Sequence, residues 1–88
     1  MRFQFDPAKA ASNLRKHGVS FADAEGVFFD PLAIHREDPQ AEGEERFVVL
    51  GMGSAGQLLV VVYTIREDKV RVISARRATR REVRDYEG

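Results

Sequence analysis

Leu58-Leu59-Val60-Val61-Val62-Tyr63-Thr64-Ile65-Arg66-Glu67-Asp68-Lys69-Val70-Arg71-Val72-Ile73-Ser74-Ala75-Arg76 holds two strands and the turn between them. Leu58 to Ile65 is an almost unbroken apolar run rich in β-branched residues. Such a run suits a central strand covered on both faces. Glu67-Asp68 turns the chain, and Val70 to Arg76 returns as the next strand. A tight loop pairs Ile65 with Val70. Strict alternation then puts Tyr63, Ile65, Val70 and Val72 on one face. Thr64, Arg66, Lys69 and Arg71 share the other face, followed by Val62, Ile73 and Ala75. On this pairing Arg66 and Arg76 fall on opposite faces, and only a bulge or a curled strand end would bring them together.

Upstream of this hairpin, Arg46 to Met52 reads as a third strand and Leu32 to Arg36 as a fourth. Residues 37–45 form an acidic loop with Pro39 and Gly43. Gly51-Met52-Gly53-Ser54-Ala55-Gly56 spells a dinucleotide fingerprint, but it links two strands instead of opening a helix, so the spelling carries no chemistry. The N-terminal third is helical. Arg2-Phe3-Gln4-Phe5 alternates as a short strand. Asp6-Pro7 starts a helix with an N-cap and a proline at its first position. Gly18 ends it with a left-handed cap, and Val19 is placed to pack back on Leu14. Ser20 caps a second helix whose stripe is Phe21, Ala24, Val27 and Phe28, ended by Asp30-Pro31. These aromatics read as core, not as a base-stacking platform. Thr79-Arg80-Arg81-Glu82 is a capping box that opens a final helix to about Glu87. The expected fold is α+β, a β-α-α unit followed by an antiparallel four-stranded meander and a short C-terminal helix, in one domain over residues 1–88.

Composition narrows the functional classes. The 88 residues are 43% hydrophobic and 32% charged, an ordinary globular balance. There is no apolar run long enough for a membrane helix and no signal-peptide pattern at the start. Zero cysteines exclude disulfides, thiolate metal sites and a cysteine nucleophile. Two histidines, His17 and His35, make no stand-alone zinc site. The acids of residues 37–45 lack calcium-loop spacing. No cofactor and no metal are expected, and a cytoplasmic location fits. The net charge of zero conceals a division. Residues 30–45 carry six acids against Arg36 alone, a net −5, so the other 72 residues sum to +5. Six arginines fall between Arg71 and Arg84. A polyanion on one face and a basic partner on another would suit that division.

Several side chains could act on a phosphodiester. Thr64, Arg66, Lys69 and Arg71 form a polar, basic end of one sheet face, and Ser74 follows along the strand. Arg76, Arg77, Arg80 and Arg81 surround a helix N-terminus, which itself attracts anions. Lys16 and His17 end the first helix, where the dipole favours cations and where a histidine can transfer protons. Asn13, one turn earlier, either faces solvent or orients one of them.

The whole chain resembles the BrnT family of toxin ribonucleases from bacterial type II toxin–antitoxin pairs. The resemblance rests on Phe5-Asp6-Pro7-x-Lys9, Asn13-x-x-Lys16-His17-Gly18-Val19-x-Phe21, Ala24 and Val27-Phe28-x-Asp30. It continues through Glu45-Arg46, Gly51, Val61-Val62-Tyr63-Thr64-x-Arg66 and Arg71-Val72-Ile73-Ser74-Ala75-Arg76-x-Ala78, with Glu82 and Tyr86 last. Phe5 stands where the family usually has Trp, so an aromatic is kept.

The resemblance implies a RelE-like fold and a metal-independent endoribonuclease that stops translation. It also implies an antitoxin with a ribbon-helix-helix DNA-binding part, which silences the toxin and with it represses their shared promoter. DNA is then met only through that complex. Matching positions able to do chemistry are Lys16, His17, Thr64, Arg66, Arg76 and Tyr86. Cleavage by the 2′-hydroxyl needs a base, cations for the phosphorane charge and an acid. The expected roles are charge stabilisation by Arg66 and Arg76 and proton transfer by His17, with Lys16 or Tyr86 as substitutes. Thr64 and Ser74 orient the phosphate, and Lys69, Arg71, Arg80 and Arg81 bind RNA. The same basic set would meet the antitoxin, with Val60, Val62 and Ala75 as its apolar anchor. The alternative is an inactive toxin-like protein that only binds its antitoxin and corepresses. A free-standing RNA-binding domain is a third reading.

Overall fold

The computed structural model describes residues 2–88. Its strands are β1 (Arg2–Gln4), β2 (Ile34–Glu37), β3 (Phe47–Met52), β4 (Leu58–Arg66) and β5 (Lys69–Arg77). Its helices are α1 (Pro7–His17), α2 (Phe21–Glu25) and α3 (Arg80–Glu87), with a 3₁₀ turn at Gly26–Phe29. The five strands form one sheet in the order β1-β5-β4-β3-β2. The β2-β3-β4-β5 meander is antiparallel, as the sequence predicts, and β1 joins it parallel to β5. No helix among the described residues is long and apolar enough to cross a membrane.

The hairpin register matches the predicted pairing from Arg66–Lys69 to Tyr63–Val72 and then changes. Val62 pairs with Ser74, not Ile73, so Ile73 is an extra residue in a β-bulge. Beyond the bulge every side chain of β5 exchanges faces. Ala75 turns into the core and is fully buried, whereas Ser74 and Arg76 join Lys69 and Arg71 on the other face. Arg66 and Arg76 therefore lie on the same face, contrary to strict alternation. The turn is a two-residue one in which Glu67 and Asp68 both have positive φ, at 51° and 63°, the twist-matched hairpin geometry.

The core lies between α2, the 3₁₀ turn and one sheet face, built on Phe21, Val27, Val49, Leu59, Val61 and Val72. Phe28 meets Tyr63 edge-on at 4.8 Å, and Phe47 stacks on Tyr63 at 5.4 Å. Each such pair adds about 1 kcal/mol beyond area burial. Burial raises the Tyr63 pKa, and its hydroxyl bonds His35 Nδ1 at 3.0 Å. The predicted second helix breaks into α2 and the 3₁₀ turn where the β3–β4 link crosses it. A Cβ on Gly26 would lie 2.4 Å from Ser54 Oγ, and Ser54 N–H donates to the Asp23 carbonyl. Gly51 instead leaves room for side chains, its Cβ position lying 2.8 Å from Val27 Cγ1 and 3.1 Å from Ala33 Cβ. Gly26 thus admits one backbone against another, and Gly51 admits the core side chains packed on β3.

Asp6 caps α1 as read, accepting from Ala8 N–H at 2.9 Å. At the other end Gly18 N–H bonds the Leu14 carbonyl at 2.9 Å with φ at 69°, a simple left-handed ending. Val19 enters the core, and Leu14 stays 52% exposed. Asn13 overturns both sequence readings. It is only 6% exposed and pairs with the edge of β5. Its Nδ2 donates to the Ala75 carbonyl at 2.8 Å and to the Val19 carbonyl at 2.9 Å. Its Oδ1 accepts from Ala75 N–H at 3.1 Å. One side-chain amide thus replaces a strand where β1 has ended.

Asn13→Ala leaves Ala75 N–H and two carbonyls buried and unpaired. It should cost about 3 kcal/mol or more in urea unfolding, since each stranded buried group costs about 1–3 kcal/mol. Asn13→Asp should cost at least as much, because its carboxylate faces two carbonyls. A loss below 1 kcal/mol in both variants would show that water replaces the bridge.

Candidate functional site

Cross-strand partners share a face, so the register orders the side chains opposite the core into rows. The first row is Ile34, Leu50, Val60 and Arg76, and the second is Arg36, Val48, Val62 and Ser74. The third joins Thr64, Arg71 and Gln4, and the fourth joins Arg66, Lys69 and Arg2. Successive rows stand about 7 Å apart along β4, two residues of strand rise. Arg36 and the β1 residues Arg2 and Gln4 were not read as part of this surface. The acidic loop obscures the first, and the alternation of Arg2 to Phe5 marks a strand without saying that it joins β5 in parallel.

Arg76 is held by both carboxylate oxygens of Glu82, at 2.8 and 2.9 Å. Glu82 Oε1 also accepts from Thr79 N–H at 2.8 Å, and Thr79 Oγ1 from Glu82 N–H at 3.2 Å. The predicted capping box is thus also the clamp on Arg76. Glu82 is lowered from 4.5 to about 2, first by the Arg76 hydrogen bonds and then by those from Thr79. Arg76 is raised in turn, first by its hydrogen bond to Glu82. A third Arg76 contact reaches the Arg77 carbonyl at 3.2 Å. Two of the five guanidinium N–H groups stay free on a side chain 44% exposed.

Lys16 and His17 line a cleft of about 190 Å³ between α1 and β5. Ile73 and Ser74 form its other wall, with Lys9 and Ser12 beside them. The bulge that turns Ser74 outward and the Asn13 bridge that docks α1 create this cleft together. Thr64 is 4% exposed because the acidic loop folds over it, its Oγ1 donating to the Glu45 carbonyl at 2.7 Å. The same loop gives Glu44 to Arg66 at 3.0 Å. Arg66 and Arg76 lie six residues apart along the pairing, about 20 Å of strand. One phosphate group does not span them.

Lys69 and Arg71 are half-buried on the open face, and Arg80 and Arg81 are exposed in the first turn of α3. Tyr86 lies on α3, where its hydroxyl donates to Asp30 Oδ2 at 2.6 Å. Asp30 Oδ2 also accepts from Met52 N–H at 2.8 Å. Asp30 is lowered, first by Tyr86 and then by Met52, and Tyr86 is raised, first by Asp30. This clamp ties α3 to the end of the 3₁₀ turn, away from the Lys16–His17 cleft. The anchor read at Val60, Val62 and Ala75 does not form. Ala75 is in the core, Val60 lies in the groove beneath α3, and only Val62 remains half-exposed on that face.

A family model described as ribonuclease toxin, BrnT, of type II toxin-antitoxin system matches residues 5–82. Among solved structures, the chain is similar to the Brucella abortus ribonuclease toxin BrnT, with 24% identity and a TM-score of 0.65. The match covers 91% of this chain and 99% of that one. At that identity the likeness establishes the fold. No curated protein matches the chain.

A carboxylate whose pKa is depressed on folding contributes stability above its unfolded value and loses it as pH falls. Glu82 should therefore withdraw its contribution between about pH 5 and pH 2, and Asp30 acts in the same direction. Glu82→Gln should lower stability at pH 7 by about 1 kcal/mol, since half-exposed pairs are partly screened. It should also flatten the acid limb of a stability–pH curve. An unchanged acid limb would assign acid unfolding to other carboxylates.

Proposed function

The chain belongs to the BrnT family of ribonuclease toxins of type II toxin–antitoxin systems, and from that premise we propose that its open sheet face binds and cleaves RNA without a metal ion. A toxin of such a pair has an antitoxin as its partner. The observation that carries the proposal is the bulge at Ile73. It aligns Lys69, Arg71, Ser74 and Arg76 on one face and sets Ser74 beside Lys16 and His17. Cation rows about 7 Å apart match the reach between successive phosphates of a single strand. The chemistry is assigned to the cations and proton carriers that this face and the α1 cleft bring together.

In this mechanism the scissile phosphate lies between Arg76 and the α1 cleft. His17 takes the 2′-hydroxyl proton, with Lys16 as substitute, and the 2′-oxygen attacks phosphorus. The free N–H groups of Arg76 receive the phosphorane charge, and the Ser74 hydroxyl orients it. Lys16, or His17 returning the proton it took, protonates the 5′-oxygen as its bond to phosphorus breaks, giving a 2′,3′-cyclic phosphate and a 5′-hydroxyl. Glu82 fixes the guanidinium in place, as Tyr86 fixes α3 through Asp30. Arg66, Lys69 and Arg71 hold the strand further along, and Arg80 and Arg81 extend its track over α3. Thr64, covered by the acidic loop with its hydroxyl given to Glu45, takes no part, contrary to the role expected from the sequence. Cleavage of translated RNA arrests protein synthesis in the cytoplasm. A ribbon-helix-helix antitoxin covers the basic face, and the complex represses its own promoter.

Expression of the chain alone should arrest bacterial growth, with rescue by its antitoxin. Normal growth despite soluble protein would favour a binding-only corepressor. Purified protein should cleave RNA in excess EDTA and leave cyclic phosphate ends. Activity lost in EDTA and restored by magnesium would overturn the mechanism. Arg76→Ala should lower kcat by about 10²-fold or more. Arg66→Ala should instead raise KM, because it lies about 20 Å along the strand.

A further inference from the structure

Beside Arg76 the open face contains a groove of about 240 Å³ between α3 and the β2–β3 edge. Its floor is apolar, made by Ile34, Val48, Leu50 and Val60. Arg36 stands on one wall, and Asp85 and Glu82 on the other. The ion pairs among the described residues, Arg66–Glu44 and Arg76–Glu82, leave Arg36 and Asp85 unpaired. Leu50 and Val60 are buried, but Ile34 remains 43% exposed, so the floor is open to an occupant. The groove is smaller than the ~300–1,000 Å³ of pockets for drug-sized ligands, and one planar heterocycle fills it.

We infer that this groove reads a guanine base of the RNA. The inference rests on the proposal that the phosphate lies at Arg76, because Val60 pairs with Arg76 and Glu82 both clamps Arg76 and lines the groove. A carboxylate repels a phosphate track, so Asp85 on its border is explained by base recognition. Unpaired bases of single-stranded RNA are splayed and read at their edges. Guanine alone presents two adjacent donors, N1–H and the N2 amine, to the two oxygens of one carboxylate. It also presents adjacent acceptors, O6 and N7, to the fork of an arginine. Asp85 takes the first edge and Arg36 the second, with the Ile34 and Val48 side chains against the ring. Adenine and cytosine offer the carboxylate one amine each, and uracil offers one N–H.

The probes are guanosine, adenosine, cytidine and uridine 3′-monophosphates, titrated into the full chain by methyl NMR. Guanosine 3′-monophosphate should shift the Ile34, Val48, Leu50 and Val60 methyls at least tenfold more tightly than the others. Asp85→Asn and Arg36→Gln, both at exposed positions, should each reduce that discrimination about tenfold, the worth of one bidentate base contact. In cleavage maps of a random RNA, guanine should be enriched beside the cut, and Asp85→Asn should erase the enrichment. Equal responses to the four nucleotides, or methyls that ignore them all, would overturn the inference and leave the groove to a protein partner. Cleavage without base preference would also overturn it while leaving the ribonuclease proposal intact. Selective guanine binding in a chain that cuts no RNA would uphold the groove and sink the cleavage mechanism.

Discussion

The pairing of the Asn13 side-chain amide with the backbone of Ala75 holds α1 to the sheet at the point where β5 has lost its outer neighbour. β1 covers only the first residues of that edge. A bare edge at Ala75 would be a site for strand addition and aggregation. The amide answers one donor and one acceptor there, and through Val19 it also fixes the chain leaving α1. Docked in this way, α1 brings its C-terminal Lys16 and His17 to the flank of β5 and the core packing of Val19 and Phe21 follows. Without that bridge the cleft beside Ser74 has only one wall.

Much of this was legible in the residues. Caps at Asp6, Ser20 and Thr79 and the breaker at Asp30-Pro31 announce their own geometry, because each acts within one turn of helix. The apolar run at Leu58 and the turn at Glu67-Asp68 set the hairpin and most of its register. What stayed hidden depends on residues distant in sequence. A bulge leaves no periodicity of its own, so Ile73 reads as an ordinary strand residue. Asn13 reads as a surface polar residue until the edge of β5, 62 positions away, is set beside it. The division of helix two at Gly26 follows from Ser54 crossing it. Likewise Glu82 was legible as a cap but not as the clamp on Arg76, since one carboxylate performs both.

The charge division seen in the sequence becomes spatial in a less simple way than two opposed faces. The acidic loop lies against the far end of the basic surface, with Glu44 on Arg66 and the Glu45 carbonyl on Thr64. Among the described residues Lys69, Arg71 and Arg2 stay unpaired beside that end, and at the other end Arg76 is shared with Glu82. Polarity along the face runs from a partly neutralised end at the hairpin turn to a clamped arginine beside an apolar groove. That gradient gives a bound strand a direction as well as an address, which a uniform basic patch would not.

The bulge at Ile73 also sets which kinds of sequence change the fold can absorb. Substitutions along β5 alter one side chain at a time and leave the rest in place. Loss of a single residue between Val72 and Ala75 would remove the extra residue and restore plain alternation, with Ala75 still opposite Val61 in the core and Arg76 still opposite Val60 on the open face. Homologous chains can thus lack one residue at Ile73 without turning the core outward, and longer gaps in their alignment should fall in the acidic loop.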